Sequence, residues 1–344
     1  MKISTIIPTR NRPGHIMQVL QTLQKQTRPS DEIIIIDASD DKSYSRQVQE
    51  QFNTLPLRWI DAPLASVCVQ RNAGIQTAAG DWIFLCDDDI VLKPDYLEKL
   101  EQYAASDIAC GAMAGRLLQL ENGNWVDEYP VTGFADLLWR FTFQLSIWGD
   151  LENIKVSFPA SLLLRAIKKF YASRKNGLTL GGWPLITSWN STAFQTTIYS
   201  LGANVIRRDW LLHSPYDEVL DPSGIGDNYG VAIGFPQTHS IHVIGSTAAY
   251  HHRATENRLD RTLAYYRRVL ALHYFIRKSK KYNASTVFWY IWSLTGNALM
   301  ALFKRDWRMV RINLRVIRLI FTGKNPYWLA YNRNEKIIRP VFED

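Results

Sequence analysis

A chain of 344 residues, 47% hydrophobic and 21% charged, is long enough for one large domain with appendages or for two domains, and its composition excludes a disordered protein. The three cysteines lack CxxC spacing, which argues against a structural zinc site or a disulfide framework and indicates a reducing compartment. The net charge of +8 is uneven, because residues 251–344 carry +13 and the preceding residues carry −5.

The first 86 residues alternate short apolar runs with helical patterns. The predicted elements are a strand at 3–7, a helix after the polar loop 8–13, a strand at 32–37, a helix around 43–52, a strand near 57–60, a helix over 67–79 and a strand at 82–85. This alternation predicts an α/β fold with a doubly wound, parallel sheet.

Polar side chains follow three of the predicted strands, at residues 9–11, 37–40 and 87–89. Because ligands bind outside the carboxyl ends of parallel strands, these clusters are expected to converge. Desolvating one unpaired carboxylate costs several kcal/mol, so the three consecutive aspartates need cations, hydrogen-bond donors or water. A divalent metal that carries a phosphate is the leading interpretation. The alternative is a solvated turn before the helix that follows Pro94.

The converging clusters offer a group for each part of a nucleotide diphosphate. Asp37 would accept a hydrogen bond from a base or a ribose hydroxyl, Asp87 would bind the ribose, and Asp89 would bind Mn²⁺ or Mg²⁺. Arg71 would neutralise the diphosphate.

Five motifs together resemble the inverting family 2 glycosyltransferases of the nucleotide-diphospho-sugar transferase superfamily. They are STIIPTRNRP at the start, IIIIDASD around Asp37, QRNAG around Arg71, LCDDDI around Asp88 and SPYDEVLDPSGIGDNYG around Asp227. Each motif is weak alone, but their order and spacing match across residues 1–230. The resemblance implies the GT-A fold, which is Rossmann-like with a mostly parallel central sheet.

The resemblance also implies roles on the donor side. The residues implied to bind the donor nucleotide are Pro8, Thr9, Arg10, Asn11, Asp37, Arg71, Asp87 and Asp88. Asp89 is the implied metal ligand of the DxD pair, and the cofactor is Mn²⁺ or Mg²⁺. His251 would be a further ligand, as in some relatives, or else part of a surface pair with His252.

On the acceptor side the resemblance makes Asp227 the general base. The family's acidic pair reads Gly226-Asp227 here, so Asp217 and Glu218 are alternatives. A plain turn around Asp227 is the competing interpretation. Trp183, in an aromatic-rich segment, would stack on an acceptor sugar or belong to the core.

The basic C-terminal region contains two features typical of membrane association. Residues 282–303 carry no charge but include several polar side chains, which favours a helix in the membrane interface over a spanning helix. Arg308, Arg311, Arg315 and Arg318 then recur on an amphipathic helix suited to anionic lipids, or on a soluble helix with a solvated face. Since the N-terminal apolar run is too short for a signal peptide, the expected location is the cytoplasmic face of the membrane, peripheral or monotopic.

The predicted organisation is a GT-A catalytic domain at 1–255, with a nucleotide-sugar half at 1–115 and an acceptor half at 116–255. A helical membrane-associating extension follows at 256–344. The predicted reaction moves a sugar from a UDP-, dTDP- or GDP-sugar to a hydroxyl of a lipid-linked or cell-envelope glycan.

Three alternatives stay open. They are a nucleotidyltransferase, a nucleic-acid-binding protein that uses the basic tail, and an inactive relative that binds a nucleotide sugar or a membrane. Residues 8–14 contain no lysine-bearing phosphate loop, which disfavours the first. The aromatics cluster in an uncharged segment, which disfavours a nucleic-acid partner.

Overall fold

The computed structural model describes residues 1–62, 64–106, 110–121, 123–127, 129–189, 192–220, 222–237, 239–252 and 259–336. Within them the strands are β1 (Ile3–Thr9), β2 (Glu32–Asp37), β3 (Leu57–Asp61), β4 (Trp82–Cys86), β5 (Ile90–Leu92), β6 (Ala112–Glu121), β7 (Asn124–Val126), β8 (Ile147–Trp148), β9 (Leu185–Ile186), β10 (Ala193–Thr196), β11 (Ala203–Arg207) and β12 (Ile241–His251). The helices are α1 (Pro13–Gln24), α2 (Tyr44–Gln51), α3 (Val67–Thr77), α4 (Tyr96–Ser106), α5 (Phe134–Thr142), α6 (Ala160–Ser173), α7 (Arg208–His213), α8 (Asp227–Ile233), α9 (Arg261–Lys278), α10 (Ala284–Phe303), α11 (Trp307–Phe321) and α12 (Pro326–Asn332).

Ten of these strands form one mixed sheet. Eight follow the order β10-β12-β6-β11-β4-β1-β2-β3, while β5 pairs with β12 and β7 pairs with β6. β4, β1, β2 and β3 are parallel, whereas β11 lies antiparallel between β4 and β6. The predicted α/β class is therefore confirmed, and parallel pairing is concentrated in the N-terminal half of the sheet.

The predicted elements of the first 86 residues all form. β2 is buried along Ile33 to Ile36 because helices cover both faces of a parallel sheet. α1 begins with Pro13, whose missing N–H costs nothing at a first helical position, and its buried residues recur at helical spacing. Periodicity alone therefore predicted this half of the sheet.

The C-terminal helices pack on the sheet half of the molecule. One continuous hydrophobic core includes residues from β1 through α12, and a smaller core lies under α5 and α6. The predicted boundary between 255 and 256 lies outside the described residues. The predicted division between 115 and 116 falls inside β6, a strand in the middle of the sheet.

Candidate active site

The ends of three parallel strands bring the predicted polar clusters together. Thr9 at the end of β1 pairs with Asp37 at the end of β2, and β1 also pairs with β4, which runs into the three aspartates. Gln70 on α3 donates through Nε2 to the carbonyl oxygens of Thr9 and Ile36, at 2.9 and 2.8 Å. The convergence expected from the sequence is therefore found in the structure.

Asp37 is fully enclosed at this edge of the sheet. Its Oδ1 accepts a hydrogen bond from the Ser39 amide at 2.8 Å, and its Oδ2 accepts one from the Tyr44 hydroxyl at 2.9 Å. Burial and the neighbouring Asp37 charge raise the pKa of Tyr44, so its phenol stays a hydrogen-bond donor. A contact between Asp37 and a donor base would require Tyr44 to move, and it stays a prediction.

Arg10 and Asn11 lie at the exposed rim beside the buried Pro8. Asn11 has a φ of 54°, a left-handed conformation that asparagine tolerates, and its Nδ2 donates to Asp40 at 2.7 Å. The Asn11 hydrogen bond and the charge of Arg10 lower the pKa of Asp40. Their predicted contact with the donor nucleotide stays a prediction.

The middle aspartate of the three faces inward. Asp88 accepts hydrogen bonds from the Thr9 hydroxyl and from Arg12 Nη1, both at 2.8 Å. Burial raises the pKa of Asp88 to about 6, against the lowering effect of Arg12. Asp88 and Thr9 thus join the ends of β1 and β4, and their predicted contact with the donor stays a prediction.

Arg71 on α3 joins Asp87 to Asp227. Its Nη2 lies 2.6 Å from Asp87 Oδ1, and its Nη1 donates to Asp227 Oδ2. The guanidinium also lies over the Tyr216 ring, with its central carbon 5.0 Å from the ring centroid. Both terminal nitrogens already pair with carboxylates that are 156 and 16 residues away in sequence, and the predicted contact of Arg71 with the diphosphate stays a prediction.

Asp227 is buried at the first position of α8, after Gly226, whose φ of 98° few other residues adopt. Its Oδ1 accepts a hydrogen bond from the Asn228 amide at 2.6 Å. Burial raises the pKa of Asp227 to about 6, although Arg71 favours the charged form. A carboxylate with a pKa near 6 is suited to accept a proton near neutral pH.

Asp89 meets His251 on the other side of the strand-end cluster. His251 Nε2 lies 3.1 Å from Asp89 Oδ1, because the pairing of β12 with β5 sets His251 opposite Ile90, the next residue after Asp89. Within the described residues no group of three or more His, Cys, Asp or Glu side chains could hold a metal. One carboxylate and one imidazole fit Mn²⁺ when phosphate oxygens complete the coordination.

Comparison with known proteins identifies this arrangement of strands and carboxylates. Residues 4–168 match the family model described as "Glycosyl transferase family 2". Residues 4–168 belong to glycosyltransferase family 2. The chain is also similar to an uncharacterized glycosyltransferase of Haemophilus influenzae, with 35% identity over 101 residues, or 29% of this chain. The matched stretch spans 33% of that relative's length.

Solved structures share the fold of this chain at low sequence identity. S. aureus TarS 1–349 in complex with UDP-GlcNAc superposes with a TM-score of 0.55 and 13% identity, covering 97% of this chain and 93% of that one. The mannosyltransferase PcManGT from Pyrobaculum calidifontis, in complex with GDP-Man and Mn²⁺, gives 0.50 and 13%, with coverages of 97% and 86%. These likenesses establish the GT-A fold of the chain.

Trp183 is packed against a C-terminal helix. Its Nε1 donates to Ser293 Oγ at 2.6 Å, and its buried ring stacks on Tyr290 with centroids 5.6 Å apart. Both partners belong to α10. These contacts favour the alternative in which Trp183 belongs to the core, and its acceptor role stays a prediction.

The two acidic alternatives, Asp217 and Glu218, are also engaged elsewhere. Asp217 Oδ2 accepts hydrogen bonds from Tyr274 and Lys278 of α9, both at 2.6 Å. Glu218 accepts a hydrogen bond from Asn72 at 3.0 Å and pairs with Lys336. These carboxylates connect the catalytic half to the C-terminal helices, which leaves Asp227 as the acidic side chain beside Asp87.

Sequence analysis missed two residues that shape the glycosyltransferase site. A Cβ at Gly202 would lie 2.2 Å from Asp87 Oδ2, so that position has no space for a side chain. Tyr216 supports the Arg71 guanidinium from one side. Tyr216 stands inside the quoted SPYDE stretch, but its contact depends on α3, a helix that is distant in sequence. Gly202 carried no signal in the sequence.

Proposed function

We propose that the protein is an inverting glycosyltransferase that transfers a sugar from a nucleotide-diphosphate donor to a hydroxyl of a lipid-linked or cell-envelope glycan. The single observation that carries this proposal is the bridge from Asp87 through Arg71 to Asp227. It joins a donor-side carboxylate at the end of β4 to a buried carboxylate of raised pKa, as a displacement with base assistance requires.

The donor would lie along the ends of β1, β2 and β4. Asp87, whose side chain is partly exposed, would accept hydrogen bonds from the ribose hydroxyls. Asp89 and His251 would hold Mn²⁺ or Mg²⁺, which supplies charge stabilisation to the departing diphosphate. The donors present in the TarS and PcManGT complexes support a uridine or guanosine nucleotide, with thymidine as a further candidate.

The proposed step forms one bond and breaks one. An acceptor hydroxyl oxygen attacks the anomeric carbon, the bond from that carbon to the diphosphate oxygen breaks, and the hydroxyl proton passes to Asp227. The electron pair of the broken bond leaves with the nucleoside diphosphate. Because the attack occurs opposite the leaving group, the anomeric configuration inverts. Arg71 would keep Asp227 oriented and would offset its charge before the proton arrives.

The first test is a thermal-shift titration of the wild type and Asp89→Ala with UDP, dTDP, GDP and CDP, each with and without Mn²⁺. A ligand that binds the native state raises the melting temperature with increasing ligand concentration. We expect one nucleotide to stabilise the wild type in a Mn²⁺-dependent way, and Asp89→Ala to lose that dependence.

A matched control is Asp209→Ala, which removes an exposed carboxylate that is paired with Arg207 on the surface. It should keep the Mn²⁺-dependent shift. If no nucleotide stabilises the wild type, or if Asp89→Ala retains the metal dependence, the proposed donor site is wrong.

A further inference from the structure

α10 is long and apolar enough to cross a membrane by length and composition. One side of this helix is nevertheless part of the enzyme. Tyr290 donates its hydroxyl hydrogen to the carbonyl oxygen of Val269, and Ser293 accepts the Trp183 hydrogen bond. Gly296 lies so close to the Phe143 ring that a Cβ there would be 2.3 Å away. A helix that crossed the bilayer would lose these contacts, so α10 cannot span while the catalytic half stays packed.

The side of α10 away from Tyr290 and Ser293 carries large apolar side chains that the described residues leave partly or mostly exposed. Trp292 among them also stacks on Phe143 and donates a hydrogen bond to the Thr142 carbonyl oxygen. Phe288 is 60% exposed and Phe303 is 72% exposed. The exposed positions share one face at helical spacing and comprise Phe288, Trp292, Leu299, Leu302 and Phe303. A continuous apolar stripe of this length on a chain surface marks an interaction site.

The next helix continues this pattern and adds positive charge. On α11, Trp307, Leu314 and Phe321 are exposed at seven-residue intervals, which places them on one line along the helix. Arg311 and Arg318 are exposed beside that line, and neither has a carboxylate partner among the described residues. Aromatic and leucine side chains flanked by arginines are typical of helices that lie in a membrane interface.

We propose that the α10–α11 hairpin (residues 284–321) docks on an anionic lipid bilayer with both helices in the plane of the interface. The occupant is inferred from charge complementarity, since exposed arginines beside an apolar stripe fit lipid phosphates above acyl chains. The anionic cytoplasmic leaflet supplies such a surface. The inference deepens the proposed function, because it places the catalytic site beside membrane-embedded acceptors, but it does not depend on catalysis.

The first experiment is flotation of the full chain with vesicles of POPC alone and of POPC with one-quarter POPG. We expect binding to the anionic vesicles that is stronger than binding to POPC. Arg311→Gln/Arg318→Gln should weaken anionic binding about 30-fold at low salt, and Trp307→Ser/Leu314→Ser/Phe321→Ser should abolish it.

Matched controls distinguish vesicle binding by this surface from nonspecific binding by exposed apolar or basic side chains elsewhere. Leu212→Ser removes an exposed leucine on α7, and Arg46→Gln/Arg58→Gln removes two exposed arginines near the opposite edge of the sheet. Both should bind like the wild type, and circular dichroism should confirm that every variant is folded. Equal binding of wild type and hairpin variants, or no vesicle binding by the wild type, overturns the proposal. So does a soluble dimer of the wild type that the triple variant converts to monomer.

A second experiment measures depth in the bilayer. A fluorophore is attached to the new cysteine in each of three single variants, Phe288→Cys, Thr295→Cys and Phe303→Cys. Lipids that carry quenchers at known depths then report the depth of the fluorophore. The natural cysteines are buried, so labelling is selective. An in-plane helix puts the three labels at one shallow depth. A spanning helix would put the label at 295 about 10 Å deeper than the label at 288, which would contradict the proposal.

Discussion

Charged side chains are usually exposed and large apolar side chains are usually buried. The carboxylates of the candidate site depart from the first rule, and the α10–α11 hairpin departs from the second. Asp88 and Asp89, which follow β4, and Asp227, at the start of α8, are acidic groups that lie buried. On the hairpin, large apolar side chains such as Phe303 and Phe321 lie exposed. Each arrangement costs free energy in an isolated soluble chain.

The difference between the two regions lies in what compensates that cost. Arg12 pairs with Asp88, Arg71 pairs with Asp227, and His251 lies beside Asp89, so these carboxylates have partners within the protein. The described residues leave the hairpin stripe uncovered, so its compensation has to come from another surface. Internal pairing therefore compensates the buried charges, whereas the exposed apolar stripe is the surface proposed to dock on a membrane.

The largest expected effect comes from Asp227→Asn. An amide keeps the shape of the side chain but cannot accept the proton, so turnover of a nucleotide-sugar donor with its acceptor should fall about 10²- to 10⁴-fold. Steady-state transfer assays measure this loss, and Asp209→Asn is the control that should keep full activity. Turnover that survives the substitution would remove Asp227 as the base, and absence of turnover in the wild type would favour the inactive relative.

Arg71→Met tests the internal pairing directly. It leaves Asp87 and the buried Asp227 without their cation, so the free energy of unfolding should fall by about 3–5 kcal/mol in urea titrations. Arg207→Met breaks a surface pair with Asp209 and should cost about 1 kcal/mol or less. Equal losses of unfolding free energy in both variants would mean that the buried Arg71 pairs stabilise the fold no more than a surface pair does.

Gly202→Ala tests the position of the Asp87 carboxylate without removing any charge. The added Cβ would collide with Asp87 Oδ2, so the carboxylate has to shift away from the donor position. Donor affinity, measured by calorimetry, should fall roughly tenfold. Gly133→Ala is the control, because nothing lies within 4 Å of a Cβ at that position. Unchanged donor affinity would show that Asp87 does not contact the donor.

The smallest expected effect is a pH dependence. Because burial raises the pKa of Asp227 to about 6, the carboxylate is charged at pH 8 and mostly protonated at pH 5. A base has to be deprotonated, so kcat/KM should rise with pH through an inflection near 6 and should be about tenfold lower at pH 5 than at pH 8. A profile that is flat over this range would contradict the assignment.

The sequence by itself determined the first strands and helices and the edge at which the polar clusters meet. These follow from local periodicity, since an apolar run ends where a polar loop begins and parallel strands end at one edge. The predicted helix around 43–52 is Tyr44–Gln51, and the predicted strand at 82–85 is Trp82–Cys86. The motifs predicted that Asp87, Asp89 and Asp227 share one site, and the Arg71 bridge joins Asp87 to Asp227.

Only the tertiary structure decided which way each side chain faces. Asp88 turns toward Arg12, Arg71 pairs with two carboxylates, and Trp183 packs on α10. These outcomes depend on partners tens to more than a hundred residues away, which no local pattern specifies. The same holds for α10, because the contacts that hold one of its sides against the protein come from α9 and from the segment around Phe143.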